Sequence, residues 1–171
     1  MSRHFAAAPW PKKLKFMSAA ATLLLVAVGC AAYVALPRQA GLTPLFNLAI
    51  ALTFPGILVV SLSFVVRGYA LDGNDLVIQR LFWRTRIPLV GLPSVSVAPG
   101  ICKGSIRLMG NGGLFAFTGL YRNKALGRYR LFATDLSRPV VILLQGRTVV
   151  VTPAAPDHFA EQLRRLFPQA G

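Results

Sequence analysis

Acidic side chains are almost missing from this sequence, with four Asp and one Glu among 171 residues. That scarcity argues against a catalytic carboxylate pair and against an acidic metal cage, both of which need several carboxylates at one point. Each of the five also has a ready structural role. Asp72 and Asp75 bracket a hairpin turn, Asp135 follows a strand, and Asp157 and Glu161 belong to a final helix. Histidine is as scarce: His4 lies in the N-terminal tail and His158 in the final helix, and no Ser-His-Asp group can be assembled around either. The two cysteines, Cys30 and Cys102, allow no disulfide framework and no CxxC zinc spacing, which suits a reducing compartment. The glycine cluster GNGG at 110–113 lacks the GK[ST] ending of a phosphate loop and precedes a strand, so it reads as a turn. No catalytic residue, metal or cofactor is expected, and the chain reads as a non-enzyme.

Charge of any kind is also sparse. Charged residues make up 14% of the chain and apolar residues 54%, where soluble proteins carry about 25% charged residues. The deficit is concentrated in two uncharged runs. Residues 16–36 (FMSAAATLLLVAVGCAAYVAL) form the first, and residues 42–66 (LTPLFNLAIALTFPGILVVSLSFVV) the second. At about 1.5 Å per residue each is long enough to cross a bilayer core. Pro55 permits a kink in the second, while Pro44 falls in its first turn, where a missing N–H costs nothing. Only PRQAG (37–41) joins the two, so they are expected to run antiparallel as a hairpin.

Two other readings fit less well. Core helices of a soluble protein rarely run this long without a charge. VAVGC resembles a lipoprotein signal ending at Cys30, but the apolar run continues through Tyr33 and Leu36 instead of turning polar. Arg3, Lys12, Lys13 and Lys15 precede the first run, Arg38 stands alone in the connection, and Arg67, Arg80, Arg84 and Arg86 follow the second. The positive-inside rule then puts both termini in the cytoplasm. The expected organisation is a basic tail (1–15), a membrane hairpin (16–66) and a cytoplasmic domain (67–171).

That domain reads as mainly β. YALD and LVIQR flank Gly73-Asn74 as a hairpin. LFWRTRI, SVSVA, SIRLM, LFAFTGLY and GRYRLFAT follow as short alternating segments, and VVILL and TVVVT form a second hairpin about Gln145-Gly146-Arg147. In DHFAEQLRRLF, Phe159, Leu163, Leu166 and Phe167 recur at helical spacing, with Pro156 and Asp157 in the first turn and Arg164 and Arg165 in the last. About seven strands with a closing amphipathic helix suggest a small sheet curled on itself, the helix plugging one opening.

YALDGNDLVI near the start, RYRLFATD followed by PVVILL, and VTPAAPDHFAEQL at the end are similar to the bacterial pleckstrin-homology-like (PH-like) domain family. These are membrane proteins in which a short span pair precedes a PH-like barrel. The resemblance implies a PH fold of seven strands in two near-orthogonal sheets with a C-terminal helix. It supplies no active-site residues, and the basic cluster with which many eukaryotic PH domains hold phosphoinositides has no matching position.

What the sequence does hold in quantity is positive charge: 19 Lys and Arg, a formal net +14. The domain from 67 onward carries 14 of them against five acids, a net +9. Arg84 and Arg86 share a strand face, as do Arg128 and Arg130, and Arg122 and Lys124 lie between strands. Strand alternation alone would place polar residues there. With no linker after the second run, however, a domain beginning at Arg67 is held beside the inner leaflet, where each cation near anionic lipid contributes about 1 kcal/mol. Arg67, Arg84, Arg86, Arg122, Lys124, Arg128 and Arg130 are therefore the candidate contacts to anionic lipid headgroups or a protein partner. An alternative is an assembly subunit that takes a partner segment at a sheet edge or in a groove beside the last helix, with Ala27 and Ala31 packing the hairpin against other spans. Nucleic acid is not expected, because no aromatic platform is interleaved with the charge.

Overall fold

The computed structural model describes residues 3–35, 43–89 and 94–168. The connection at 37–41, with Arg38, lies outside the described residues, as do Leu36 and Leu42 at the hairpin's inner ends.

Two long apolar helices come first. α1 (Lys12–Ala35) starts a turn before the uncharged run, and α2 (Thr43–Ser63) contains Pro55. Both are long and apolar enough to cross a membrane. Within α1 only Leu14 and Ser18 are buried. Leu23, Leu24, Val34, Leu45 and Phe46 stand largely exposed, the reverse of a soluble core helix. The second helix ends three residues before the uncharged run does. Val66 is already the first residue of a strand and sits in the domain core at 2% exposure.

Ten strands in two sheets follow the helices or flank them, among the described residues. Nine overlap segments visible as alternating patterns, so the estimate of about seven was an undercount. The tenth is β1 (Arg3–Ala6), in what reads from sequence only as a basic tail. It pairs antiparallel with β2 (Val66–Asp72), His4 opposite Ala70. β2 turns at Gly73 (φ +59°) into β3 (Asp75–Arg80), which pairs with β4 (Arg84–Pro88) to complete a four-stranded sheet.

The second sheet has six strands. They are β5 (Ser94–Val97), β6 (Ile106–Gly112), β7 (Phe117–Asn123), β8 (Gly127–Ala133), β9 (Val140–Leu144) and β10 (Arg147–Val151). Their spatial order is β5-β9-β10-β8-β7-β6, and β10 lies parallel to β8. The GNGG cluster is not simply a turn. β6 continues through Gly112, and the reversal occupies residues 113–116, where the Asn111 side chain bonds both the N–H and the carbonyl of Leu114. Likewise LFWRTRI is not one strand. Leu81 to Trp83 form a tight turn closed by the Arg80 N–H on the Trp83 carbonyl, and strand begins only at Arg84.

The core lies between the sheets. Tyr69, Leu71, Leu76, Ile78 and Ile87 from the first meet Phe132, Val140, Ile142, Val149 and Val151 from the second. α3 (Pro156–Leu166) closes this space with Phe159, Ala160 and Leu163, while Leu166 stays outside. The other face of the six-stranded sheet carries a smaller cluster about Tyr121, Tyr129, Leu131 and Cys102.

Candidate functional site

β3 alternates Leu76, Ile78, Arg80. The first two are fully buried between the sheets, so the pleat sends Arg80 the same way. An inward-facing arginine at a strand's end is the most unusual residue of the domain. Its guanidinium is packed 5.3 Å from the Phe132 ring centroid, 5.4 Å from Phe64 and 5.5 Å from Trp83. Nε and Nη1 are buried and make no hydrogen bond. Burial pushes its pKa down, yet an arginine stays protonated at neutral pH.

No side-chain carboxylate answers this charge. Asp72 and Asp75 lie 3.4 and 3.8 Å from Arg86. Asp157 pairs with Arg138 and Glu161 with Arg165. Asp135 accepts from the N–H and hydroxyl of Ser137. All five acids are thus engaged elsewhere. Arg80 as a whole is only partly buried and also borders an outer hollow, so solvent there shares with the three rings, at about 0.5–2 kcal/mol each, in offsetting the cost of its two buried donors.

Arg80 lines two hollows. One is a cleft of about 440 Å³ lined from both sheets. Thr85 enters it from β4, and Thr118, Leu120 and Arg130 from the second sheet. In register, Thr118 faces Phe132 and Leu120 faces Arg130, so these four share the inward face. Thr118 is 1% exposed and its Oγ1 has no hydrogen-bond partner. Gly110 and Gly119 form a directly paired couple in the cleft wall, at φ +111° and +143°. A Cβ on Gly119 would fall 2.1 Å from the Met109 carbonyl oxygen, and one on Gly110 2.2 Å from that of Thr118. Only glycine therefore permits the close approach of β6 and β7 at this pair.

The other hollow, about 560 Å³, lies over the β3–β4 turn and is lined by Arg67, Gln79, Arg80, Phe82, Trp83 and Arg84. It adjoins the end of α2, since Phe64 meets the Trp83 ring edge-on at 5.4 Å. Phe82 is 67% exposed at the turn's tip.

The seven cations expected as contacts do not form one patch. Arg67 and Arg84 converge with Arg80 on the outer hollow, and Arg130 reaches the cleft. Arg122 and Arg128 stand directly opposite each other on β7 and β8, both exposed, with Lys124 in the turn between. Arg86 is tied to the two aspartates of the β2–β3 hairpin. Arg80 and Thr118 were not anticipated. The alternation of Leu76, Ile78 and Arg80 carried the signal for the first, while nothing local marks the second.

A further hollow of about 360 Å³ on the outer face of the six-stranded sheet contains Cys102, Ser105, Arg107, Tyr121 and Tyr129. Tyr129 donates to Ser105 Oγ at 2.6 Å. Burial pushes the Tyr129 phenol up to about 12 and raises the Cys102 thiol as well. Both stay protonated at neutral pH, so neither is an activated nucleophile. His158 Nε2 sits 3.4 Å from Gln162 Nε2, and His4 Nδ1 sits 2.9 Å from Gln79 Nε2. Among the described residues, no three His, Cys, Asp or Glu side chains group as a metal site.

Comparison with curated proteins and with solved structures returns no match for this chain. A family model described as Bacterial PH domain matches residues 67–167, which run from β2 to the end of the closing helix and leave out β1. Two sheets about one core with a C-terminal helix across it are consistent with a PH-like fold, and the chain belongs to the bacterial PH domain family.

Proposed function

We propose that this chain is a non-enzymatic, membrane-anchored PH-like module that recognises anionic lipid headgroups at the cytoplasmic face of a bacterial inner membrane. In this reading α1 and α2 cross the bilayer as a hairpin that is shorter than residues 16–66, since Ser18 is seated on the domain and Val66 lies in its core. The PH-like unit over 67–171, joined by β1, rests against the leaflet. The observation that carries it is the outer hollow: Arg67, Arg80 and Arg84 line it together, Arg80 lies 5.4 Å from the ring of Phe64, one residue beyond the end of α2, and Phe82 is exposed at the same turn. A cationic hollow rimmed by an exposed aromatic, placed where a membrane helix ends, matches the charge and polarity of a headgroup layer. The protonated thiol and phenols and the committed carboxylates support a binding role over catalysis.

Hydrogen exchange on the full chain in nanodiscs tests this. Amides of residues 81–84 exchange more slowly in discs containing phosphatidylglycerol than in pure phosphatidylcholine, and added salt erases the difference. Equal exchange in both lipids would sink the reading.

A second reading, an assembly subunit, is favoured by one specific feature. Among the described residues β6 is an open sheet edge, and its Ile106, Leu108 and Met109 are 69%, 46% and 73% exposed. An apolar, unpaired edge is suited to strand addition by a protein partner. A photo-crosslinker at Leu108 that captured nothing in native membranes would count against it.

A further inference from the structure

We propose that the cleft between the two sheets is a binding site for a phosphate group, with Arg80 Nε and Nη1 and Thr118 Oγ1 as the inner donors and Arg130 at the mouth. The inference rests on the lipid reading above and deepens it, moving the point of recognition from the surface into the fold.

Three independent features meet there. The first is the unpaired charge: Arg80 has two buried donor nitrogens without an acceptor, and all five side-chain carboxylates are engaged elsewhere. The second is Thr118, which brings another unpartnered, fully buried donor from the opposite sheet to the same space. Buried polar atoms are nearly always satisfied, so two donors from different sheets without acceptors in one cleft point to an acceptor supplied from outside. The third is Arg130, a second cation lining the same cleft. Two guanidinium groups facing one cavity repel each other unless an anion lies between them, and phosphate oxygens suit the guanidinium geometry.

The remaining lining argues for the form in which the phosphate arrives. Phe64, Met109 and Leu120 are apolar, and Phe64 directly follows α2. A phosphate esterified to glycerol fits a cleft that is cationic at its base and apolar towards the helix end better than a highly charged free polyanion does. If Arg80 were only a structural cation clamped by its three rings, neither the idle threonine nor the second arginine would be accounted for.

The test uses the full chain in phosphatidylcholine nanodiscs, with Trp83 fluorescence in a Trp10→Phe background as the readout, because that ring lies 5.5 Å from Arg80. One arm dopes the discs with phosphatidic acid, and the other adds inorganic phosphate to undoped discs. The wild type is expected to respond saturably to phosphatidic acid. Arg80→Gln should weaken the response at least about tenfold and Thr118→Val about threefold, whereas Arg165→Gln, equal in charge loss, should stay within about twofold. Thr118→Val changes no charge and little volume, so it reports on the site even if Arg80→Gln perturbs folding. A response to inorganic phosphate with the same dependence on Arg80 and Thr118, without any preference for phosphatidic acid, would support the site and overturn the lipid reading. Weakening that follows charge alone, equal for Arg80→Gln and Arg165→Gln and nil for Thr118→Val, would overturn the site and leave surface recognition of lipid intact. Absence of any saturable response in both arms would also overturn the site.

Discussion

Tyr69 joins the two sheets through one phenol. Its hydroxyl donates to the Phe132 carbonyl at 2.6 Å and accepts from the Thr152 N–H at 3.1 Å, all within a fully buried site. Tyr69→Phe should lower unfolding free energy by about 2 kcal/mol or more, because two buried backbone groups lose their partner. Chemical denaturation of the detergent-solubilised chain would measure it. Burial raises this phenol from 10.0 to about 12. The unfolded chain therefore releases the proton first, and stability is full below pH 10 and falls as pH rises through 12. The substitution should flatten that alkaline decline, and an unchanged slope would refute the assignment. Neither Tyr69 nor Thr118 is legible in the sequence, since each acquires its role from a partner sheet. Arg80 was within reach, because strand period alone aims it inward; only its aromatic surroundings required the fold.

Strands β7 and β8 show where local pattern stops being enough. The hairpins at Gly73 and Gly146 are readable because turn chemistry and alternation agree over a few residues. The parallel pairing of β8 with β10 and the edge position of β1 depend on contacts far apart in sequence, and no short-range signal encodes them. The same holds for register. Arg128 and Arg130 are visibly on one face, but that Arg128 lies opposite Arg122 follows only from the pairing. Like charges directly opposite on adjacent strands are destabilising. Arg128→Glu should therefore raise stability by up to about 1 kcal/mol, read as an increase in Tm. If that pair also contacts anionic lipid, the same variant should lose part of its preference for phosphatidylglycerol discs. A variant that is both less stable and unchanged towards lipid would remove these arginines from the argument.

At the scale of the molecule, the helical hairpin begins and ends on the same sheet. β1 precedes α1, β2 follows α2, and the two are hydrogen-bonded neighbours. Ser18 Oγ accepts from the Phe115 N–H at 3.0 Å, Trp10 lies 6.1 Å from the Phe115 ring, and Thr134 donates to the Ala8 carbonyl at 2.6 Å, so the entry to α1 is seated on the domain too. A chain cannot make these contacts with its flanks on opposite faces of a bilayer. If α1 and α2 cross a membrane, both flanks lie on one side, an argument independent of the charges that first suggested it. Charge is still needed to say which side, and Lys12, Lys13 and Lys15 at the start of α1 favour the cytoplasm. Fluorescent-protein fusions ahead of Arg3 and behind Gly171 should therefore both mature in the cytoplasm, and alkaline phosphatase at either end should stay inactive. Reversing the charge of the three lysines should weaken that orientation for the whole unit, because the β1–β2 ladder obliges both ends to invert together. A population with one end on each side of the membrane would break that ladder and the proposed architecture with it.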